Sequence, residues 1–291
     1  MRVFDLKGAK HFGSGAGALG AYVPTSFREY VSTALRAGET LSEGSDSYQE
    51  YRGHALREVD RLLFMAISNY RRSLDLLTTS SAYWSWVTAY YSSYYSATAI
   101  MGLLGVTIVP HRVLVDVAAN APGNQRLRIE RCPKDGPTLE DGSRSPHKLF
   151  WDFYYDGVSY IRADLPDRLM GAVEPIDDNR AWQINTRNTQ NYDTFEALKT
   201  CEEFGRRFHA SSFPMCLWGD FETQMRTSTT MIDLGLWLAT EVGLKTDAIS
   251  TIGRSGSWRQ KAEELIRRAE SPFGPSRPLF KVKVQALAVN Y

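Results

Sequence analysis

The chain has 291 residues, of which 43% are hydrophobic and 23% charged, with 34 Lys plus Arg against 33 Asp plus Glu. That length and apolar content support a substantial buried core, arranged as one large domain or two small ones. The near balance of charge excludes a globally basic binder of nucleic acid or anionic lipid, so any such site has to be a local patch.

The first residues, Met1-Arg2-Val3-Phe4-Asp5, open no secretory apolar run. The most apolar stretch, residues 97–109, is too short to cross a bilayer. Three scattered cysteines, Cys132, Cys201 and Cys216, suit free thiols in a reducing compartment. A cytoplasmic protein without membrane association is therefore expected.

Residues 8–24 are rich in Gly and Ala, with the run Gly13-Ser14-Gly15-Ala16-Gly17-Ala18-Leu19-Gly20. A phosphate-binding loop needs its glycines between a strand and a helix, and a P-loop ends in Gly-Lys-Ser/Thr. Only a short strand candidate precedes this run and the ending is missing, which leaves a flexible arm or a close-packed turn. A short helix is predicted over residues 26–37, capped by Thr25 or Ser26, followed by a polar linker over 38–48.

Over residues 48–77, Leu56, Val59, Leu62, Leu63, Ala66, Tyr70 and Leu74 recur at helical spacing, and charged residues fill the opposite face. The run Thr78-Thr79-Ser80-Ser81 ends this helix and caps the next. That next helix, residues 81–104, mixes small residues (Ala89, Ser92, Ser93, Ser96, Ala97, Ala99) with rings (Tyr90, Tyr91, Tyr94, Tyr95). Small positions admit a neighbouring helix closely and rings fill the grooves. Together with Tyr83, Trp84 and Trp86 the rings go all round the helix, which favours core packing over a platform for stacking bases. Buried tyrosine hydroxyls need partners, which the neighbouring serines are expected to supply. Gly102 and Gly105 mark the helix end.

Residues 105–132 turn β-like, in 106–109, 113–117 and 126–129, and predict a small hairpin or sheet inserted between helices. Arg126 and Arg128 share one face of the last strand and, with Arg131 and Lys134, form either a phosphate-facing patch for nucleic acid or a solvated face. A polar loop over 133–145 leads to an aromatic helix over 147–161, ending near Gly157. A further loop over 165–178 ends in the acidic turn Asp177-Asp178-Asn179-Arg180. No other carboxylates are placed near it, so it reads as a loop or cap and not as a metal site. Helices are predicted over 192–208, 213–242 and 257–269, with an edge strand over 279–287. The scattered Cys and His have no zinc spacing, no Gly-x-Ser-x-Gly elbow is present, and no motif calls for a cofactor.

The segment Ala89-Tyr90-Tyr91-Ser92-Ser93-Tyr94-Tyr95-Ser96-Ala97, preceded by a long helix, resembles the second helix of HEPN domains, a superfamily of helical nucleic-acid-associated proteins. Arg187-Asn188-Thr189-Gln190-Asn191-Tyr192-Asp193, followed by Glu196-Ala197 and Cys201-Glu202-Glu203-Phe204, resembles the start of that family's final bundle helix. His147-Lys148-Leu149-Phe150 stands where the intervening helix would be. The resemblance covers roughly residues 48–210. It implies a mainly α protein with a HEPN-like bundle over 48–212, an N-terminal arm and short helix over 1–47, and additional C-terminal helices and a tail strand over 213–291.

HEPN ribonucleases carry an Arg and, four to six residues later, a His. There the His moves a proton from the ribose 2′-OH and the Arg stabilises charge on the phosphate, across a dimer. This chain departs from the pattern. Arg187 is present, but Asn191 and Tyr192 stand where His is required. None of His11, His54, His111, His147 and His209 has the spacing. Asn exchanges no proton near neutral pH and free Tyr titrates near about 10.

The resemblance therefore implies a non-catalytic or weakly catalytic subunit that binds RNA, a nucleotide or a partner protein in a prokaryotic defence or toxin–antitoxin system. It would act as a homodimer or with a different protein partner. Arg187 would hold phosphate or a buried carboxylate, with Asn188, Asn191, Tyr192, Tyr91 and Tyr95 shaping the site. One alternative is an active, metal-independent endoribonuclease in which Arg187 binds the scissile phosphate and Tyr192 or an unmatched His moves the proton. The other is a purely structural subunit with Arg187 in a core ion pair.

Overall fold

Apolar spacing on one long helix and small-residue spacing on the next determine the centre of the fold. The computed structural model describes residues 1–14, 26–76, 83–109, 113–132, 146–192 and 215–244. The protein is mainly α-helical with a small four-stranded antiparallel sheet. In chain order the elements are α1 (Leu6–Gly13), α2 (Phe27–Ala34), β1 (Thr40–Ser42), α3 (Asp46–Leu76), α4 (Tyr83–Leu103), β2 (Thr107–Val109), β3 (Val113–Ala119), β4 (Arg126–Arg131) and α5 (Pro146–Val158). Three 3-10 turns between 159 and 178 follow, then α6 (Trp182–Tyr192) and α7 (Met215–Glu241).

The apolar stripe read for α3 faces inward. Leu56, Val59, Leu63, Ala66, Tyr70 and Leu74 are buried, and Leu62 is half-buried. It packs along α4, whose small residues let the backbones approach. Ser92 Oγ donates to the Ala66 carbonyl of α3 at 2.8 Å, and a Cβ on Gly102 would sit 2.8 Å from Val59 Cγ2. On another side of α4 lies α7, where Ser228 Oγ donates to the Ala89 carbonyl at 2.9 Å and lies 2.8 Å from Ser93 Oγ. Each such buried bond contributes about 1 kcal/mol net. The serines thus bind helix to helix. The tyrosine hydroxyls of α4 find partners other than the neighbouring serines: that of Tyr90 lies 2.7 Å from His147 Nδ1, and that of Tyr91 accepts from Arg187 at 3.0 Å.

The end of α4 is a Schellman motif. Val106 N–H reaches Met101 O at 2.9 Å and Gly105 N–H reaches Gly102 O at 3.1 Å. Gly105 takes φ +81°, which a residue without Cβ adopts freely.

The sheet has the order β1-β4-β3-β2. Thr40 faces Arg128, Val115 faces Ile129, and Thr107 faces Val115. Strands β2, β3 and β4 follow the predicted insert. Strand β1 occupies what the composition marks as a polar linker. Its only apolar residue is Leu41, buried opposite Leu127, so no alternation was there to detect it.

The N-terminal residues join the same core. Asp5 caps α1 by accepting from Gly8 N–H at 2.7 Å, and Phe4 and Phe12 meet with ring centroids 5.4 Å apart. Gly13 closes α1 against the end of α7, where a Cβ would lie 2.7 Å from the Val242 carbonyl oxygen. Of the arm and close-packed-turn readings, packing holds at Gly13. Residues 15–20 lie outside the described residues. So do the cap at 78–81, the loop at 133–145 and most of the predicted helix at 192–208, as well as the helix at 257–269 and the strand at 279–287.

One expectation needs correction. The stretch before Tyr192 is already helical. Helix α6 starts at Trp182 and places Arg187 mid-helix, so neither Arg187 nor Tyr192 opens a helix. Asn- and Thr-rich α6 has weak intrinsic helix propensity, and packing on α4 overrides it. No helix among the described residues is long and apolar enough to cross a membrane.

Candidate functional site

Helix α6 is anchored from within. Gln183, Ile184 and Gln190 are buried, and Gln183 Oε1 lies 3.5 Å from Gln224 Nε2 of α7, which also donates to Ser93 at 3.2 Å. One turn beyond Gln183, Arg187 extends over the tyrosines of α4. Its Nη2 donates to the Tyr91 hydroxyl at 3.0 Å. Its Nη1 donates to Asn188 Oδ1 at 2.8 Å and, more weakly, to the Tyr192 hydroxyl at 3.5 Å. The guanidinium carbon stands 5.9 Å from the Tyr90 ring, 5.7 Å from Tyr91 and 5.5 Å from Tyr192, within cation–π range of all three.

All of these partners are neutral. Among the described residues no carboxylate pairs with Arg187, and its Nε is buried without a hydrogen-bond partner. A half-buried guanidinium, always charged, is thus oriented by hydroxyls and ring faces and left with donors to offer an anion.

The first turn of α5 brings His147 to the same tyrosines. Its Nδ1 lies 2.7 Å from the Tyr90 hydroxyl. Its ring centroid is 4.9 Å from Tyr94 and 6.5 Å from Tyr91. Burial, then the positive charge of Arg187, hold the imidazole below the usual histidine range, so it is neutral at neutral pH. Behind it, Trp151 Nε1–H donates to the Tyr90 hydroxyl at 3.4 Å. Burial pushes the Tyr90 hydroxyl well above the usual tyrosine range, so it keeps its proton.

The structure therefore brings Arg187, Asn188, Tyr91 and Tyr192 together. Tyr192 is 70% exposed, so its ring is open to solvent as well as to Arg187. Tyr95 sits one turn further along α4, half-buried, with its ring 6.1 Å from Tyr91. Asn191 is half-buried, and among the described residues its side chain makes no hydrogen bond to Arg187.

The three β4 arginines stand apart from this site. Arg126 and Arg128 point from the exposed face of β4. Arg128 pairs with Asp116 at 2.9 Å and Glu130 at 2.7 Å. Arg126 donates to Asn124 Oδ1 at 3.2 Å, and Arg131 is exposed at the strand end.

The residues that sequence reasoning missed are His147, Tyr90 and Trp151. The signal was weak but present: His147 and Trp151 are one helical turn apart and share a face of α5. Of the other described histidines, His11 pairs with Glu43 at 2.6 Å and His54 stacks on Tyr30 with centroids 4.0 Å apart. Among the described residues, no group of three or more His, Cys, Asp or Glu is placed to hold a metal ion. In the turn at 177–180, Asn179 Oδ1 accepts from Ala181 N–H at 3.0 Å, just before α6.

No family model matches the chain, and neither a curated protein nor a solved structure does.

Proposed function

We propose that this chain is a HEPN-like subunit, non-catalytic or weakly catalytic, that binds RNA or a nucleotide through a phosphate seated at Arg187, within a prokaryotic defence or toxin–antitoxin type of system. The observation that carries the reading is the guanidinium itself. It is half-buried, oriented by the Tyr91 hydroxyl at 3.0 Å, and without a carboxylate partner among the described residues. A core ion pair, the structural alternative, needs such a carboxylate. Phosphate answers the same need from solution and matches the planar donor fork of arginine. Tyr192, exposed beside it, offers a ring face to a base.

The test is binding of short RNAs and of ATP by wild type and Arg187→Ala, read by fluorescence anisotropy and calorimetry. Loss of a charge-assisted contact predicts binding about ten- to a hundredfold weaker in the variant. Wild type that binds none of these ligands removes the reading.

A second reading, an active metal-independent endoribonuclease working as a dimer, is favoured by one observation. The proton-moving group that the α6 motif lacks has a counterpart in His147, hydrogen-bonded to Tyr90 beneath Arg187. Cleavage of RNA by the purified chain, lost in both Arg187→Ala and His147→Gln, would support it.

A further inference from the structure

The hydrogen-bond chain behind His147 has a direction. Trp151 Nε1 can only donate, so the Tyr90 oxygen accepts from it. Tyr90 and Trp151 are both buried, Tyr90 at 1% exposure and Trp151 at 0%, so water does not compete for these groups. The Tyr90 hydroxyl proton then needs an acceptor, and the one within reach is His147 Nδ1 at 2.7 Å. A neutral imidazole whose Nδ1 accepts carries its proton on Nε2. Nε2 has no protein partner among the described residues and is not a buried orphan.

We propose that Trp151 and Tyr90 act as positioning residues that hold His147 in its Nε2–H form, so that His147 and Arg187 together donate to one phosphate group. The tautomer follows from the hydrogen bonds alone. The shared phosphate seat rests on the function proposed above and deepens it. At rest, His147 presents a proton and cannot accept one at Nε2. In this state it donates a hydrogen bond to a bound phosphate oxygen but does not give up the proton, because acid catalysis needs the imidazolium that burial and Arg187 disfavour. It does not serve as the base that a 2′-OH requires. This gives a physical reason for binding without efficient cleavage.

The groups facing His147 are Tyr90, Tyr91 and Tyr94 of α4 and Arg187 of α6, with Lys148 and Asp152 nearby on α5. None of the described groups facing it from α4 or α6 is a carboxylate that would recruit a proton to Nδ1.

The test is a long-range proton–nitrogen NMR correlation on protein labelled with 15N-histidine, at mildly alkaline pH, with the His147 signals identified by their loss in His147→Gln. The expected result is an acceptor-type Nδ1 and a protonated Nε2 in wild type. In Tyr90→Phe the pattern relaxes toward the mixture of a free imidazole, while circular dichroism shows the fold retained. If Tyr90→Phe does not fold, the wild-type spectrum decides alone. A protonated Nδ1 in wild type, or an unchanged pattern in folded Tyr90→Phe, overturns the positioning role. Titration with inorganic phosphate then reads the shared seat, which predicts a shift of Nε2 in wild type and a much smaller one in Arg187→Ala. If phosphate moves neither nitrogen in wild type that still binds RNA or ATP, the shared seat is overturned and the proposed function is not, whereas the tautomer stands on the ligand-free spectrum.

Discussion

Arg187 donates to the hydroxyl of Tyr91 at 3.0 Å, joining two helices whose residues lie 96 positions apart in the chain. The bond orients the guanidinium without neutralising it. Arg187→Ala should therefore separate binding from stability. Removal of a half-buried charge that has no described carboxylate partner should change unfolding free energy by less than about 1 kcal/mol. RNA or nucleotide affinity should fall about tenfold or more. Thermal melts alongside anisotropy titrations check both. A large stability loss with intact binding would return Arg187 to a structural role.

Cleavage assays bear on the chemistry. Purified wild type is expected to cleave RNA slowly or not at all. Any cleavage it has should drop about a hundredfold in His147→Gln and persist with chelator present, because positioned proton transfer contributes about 10²–10⁴-fold. Activity indifferent to His147 would assign the turnover to another group or to a contaminant.

Stability should depend on pH through His147. Its folded-state value is lowered by burial and then by Arg187, so the unfolded chain binds more protons as the pH drops. The stabilising contribution is fully present above the unfolded value, about 6.5, and is lost as pH falls through the folded one. His54, lowered chiefly by burial, acts in the same sense. Asp152, raised chiefly by burial, acts in the opposite sense and at lower pH. Melting temperature should fall between about pH 7 and pH 5, and fall less in His147→Gln. Parallel slopes for the two proteins would contradict the assignment.

Gly105→Ala should destabilise by about 2 kcal/mol or more, because it forces an L side chain into left-handed backbone and against a packed ring. Gly105 has φ +81°, and an added Cβ would stand 2.4 Å from Phe4 Cε2. Denaturant melts measure it. Gly123→Ala shares the positive φ but meets nothing within 4 Å, so it should cost less.

Arg126 and Arg128 look alike in sequence and should behave differently. Asp116 is buried, and accepts from Arg2 N–H at 2.6 Å and from Arg128 at 2.9 Å. Arg128→Ala should cost about 1–2 kcal/mol by stripping that carboxylate of a charged partner. Arg126→Ala, at an exposed position bonded to Asn124, should cost under about 0.5 kcal/mol. If β4 also contacts RNA, both variants weaken binding. Unchanged affinity leaves the strand as a solvated face.

Much of the fold could be read along the chain because it repeats at short range. Leu56, Val59, Leu63 and Ala66 announce α3 by their spacing, and Ser92, Ser93 and Ser96 announce that α4 is approached closely. Strand β1 escaped because three residues carry no period. Helix α6 escaped because Asn185, Asn188 and Asn191 disfavour a helix that Gln183 and Ile184 nonetheless hold by packing.

By itself the sequence determined the long amphipathic helix, the small-and-aromatic helix beside it and the β insert. Each of these is a matter of local period or residue type. Only the tertiary structure decided that α6 lays Arg187 across Tyr90 and Tyr91, and that α5 delivers His147 to the Tyr90 hydroxyl from 57 positions away. Contacts between distant segments follow from how buried faces fit one another, and no spacing rule within a single segment encodes that fit.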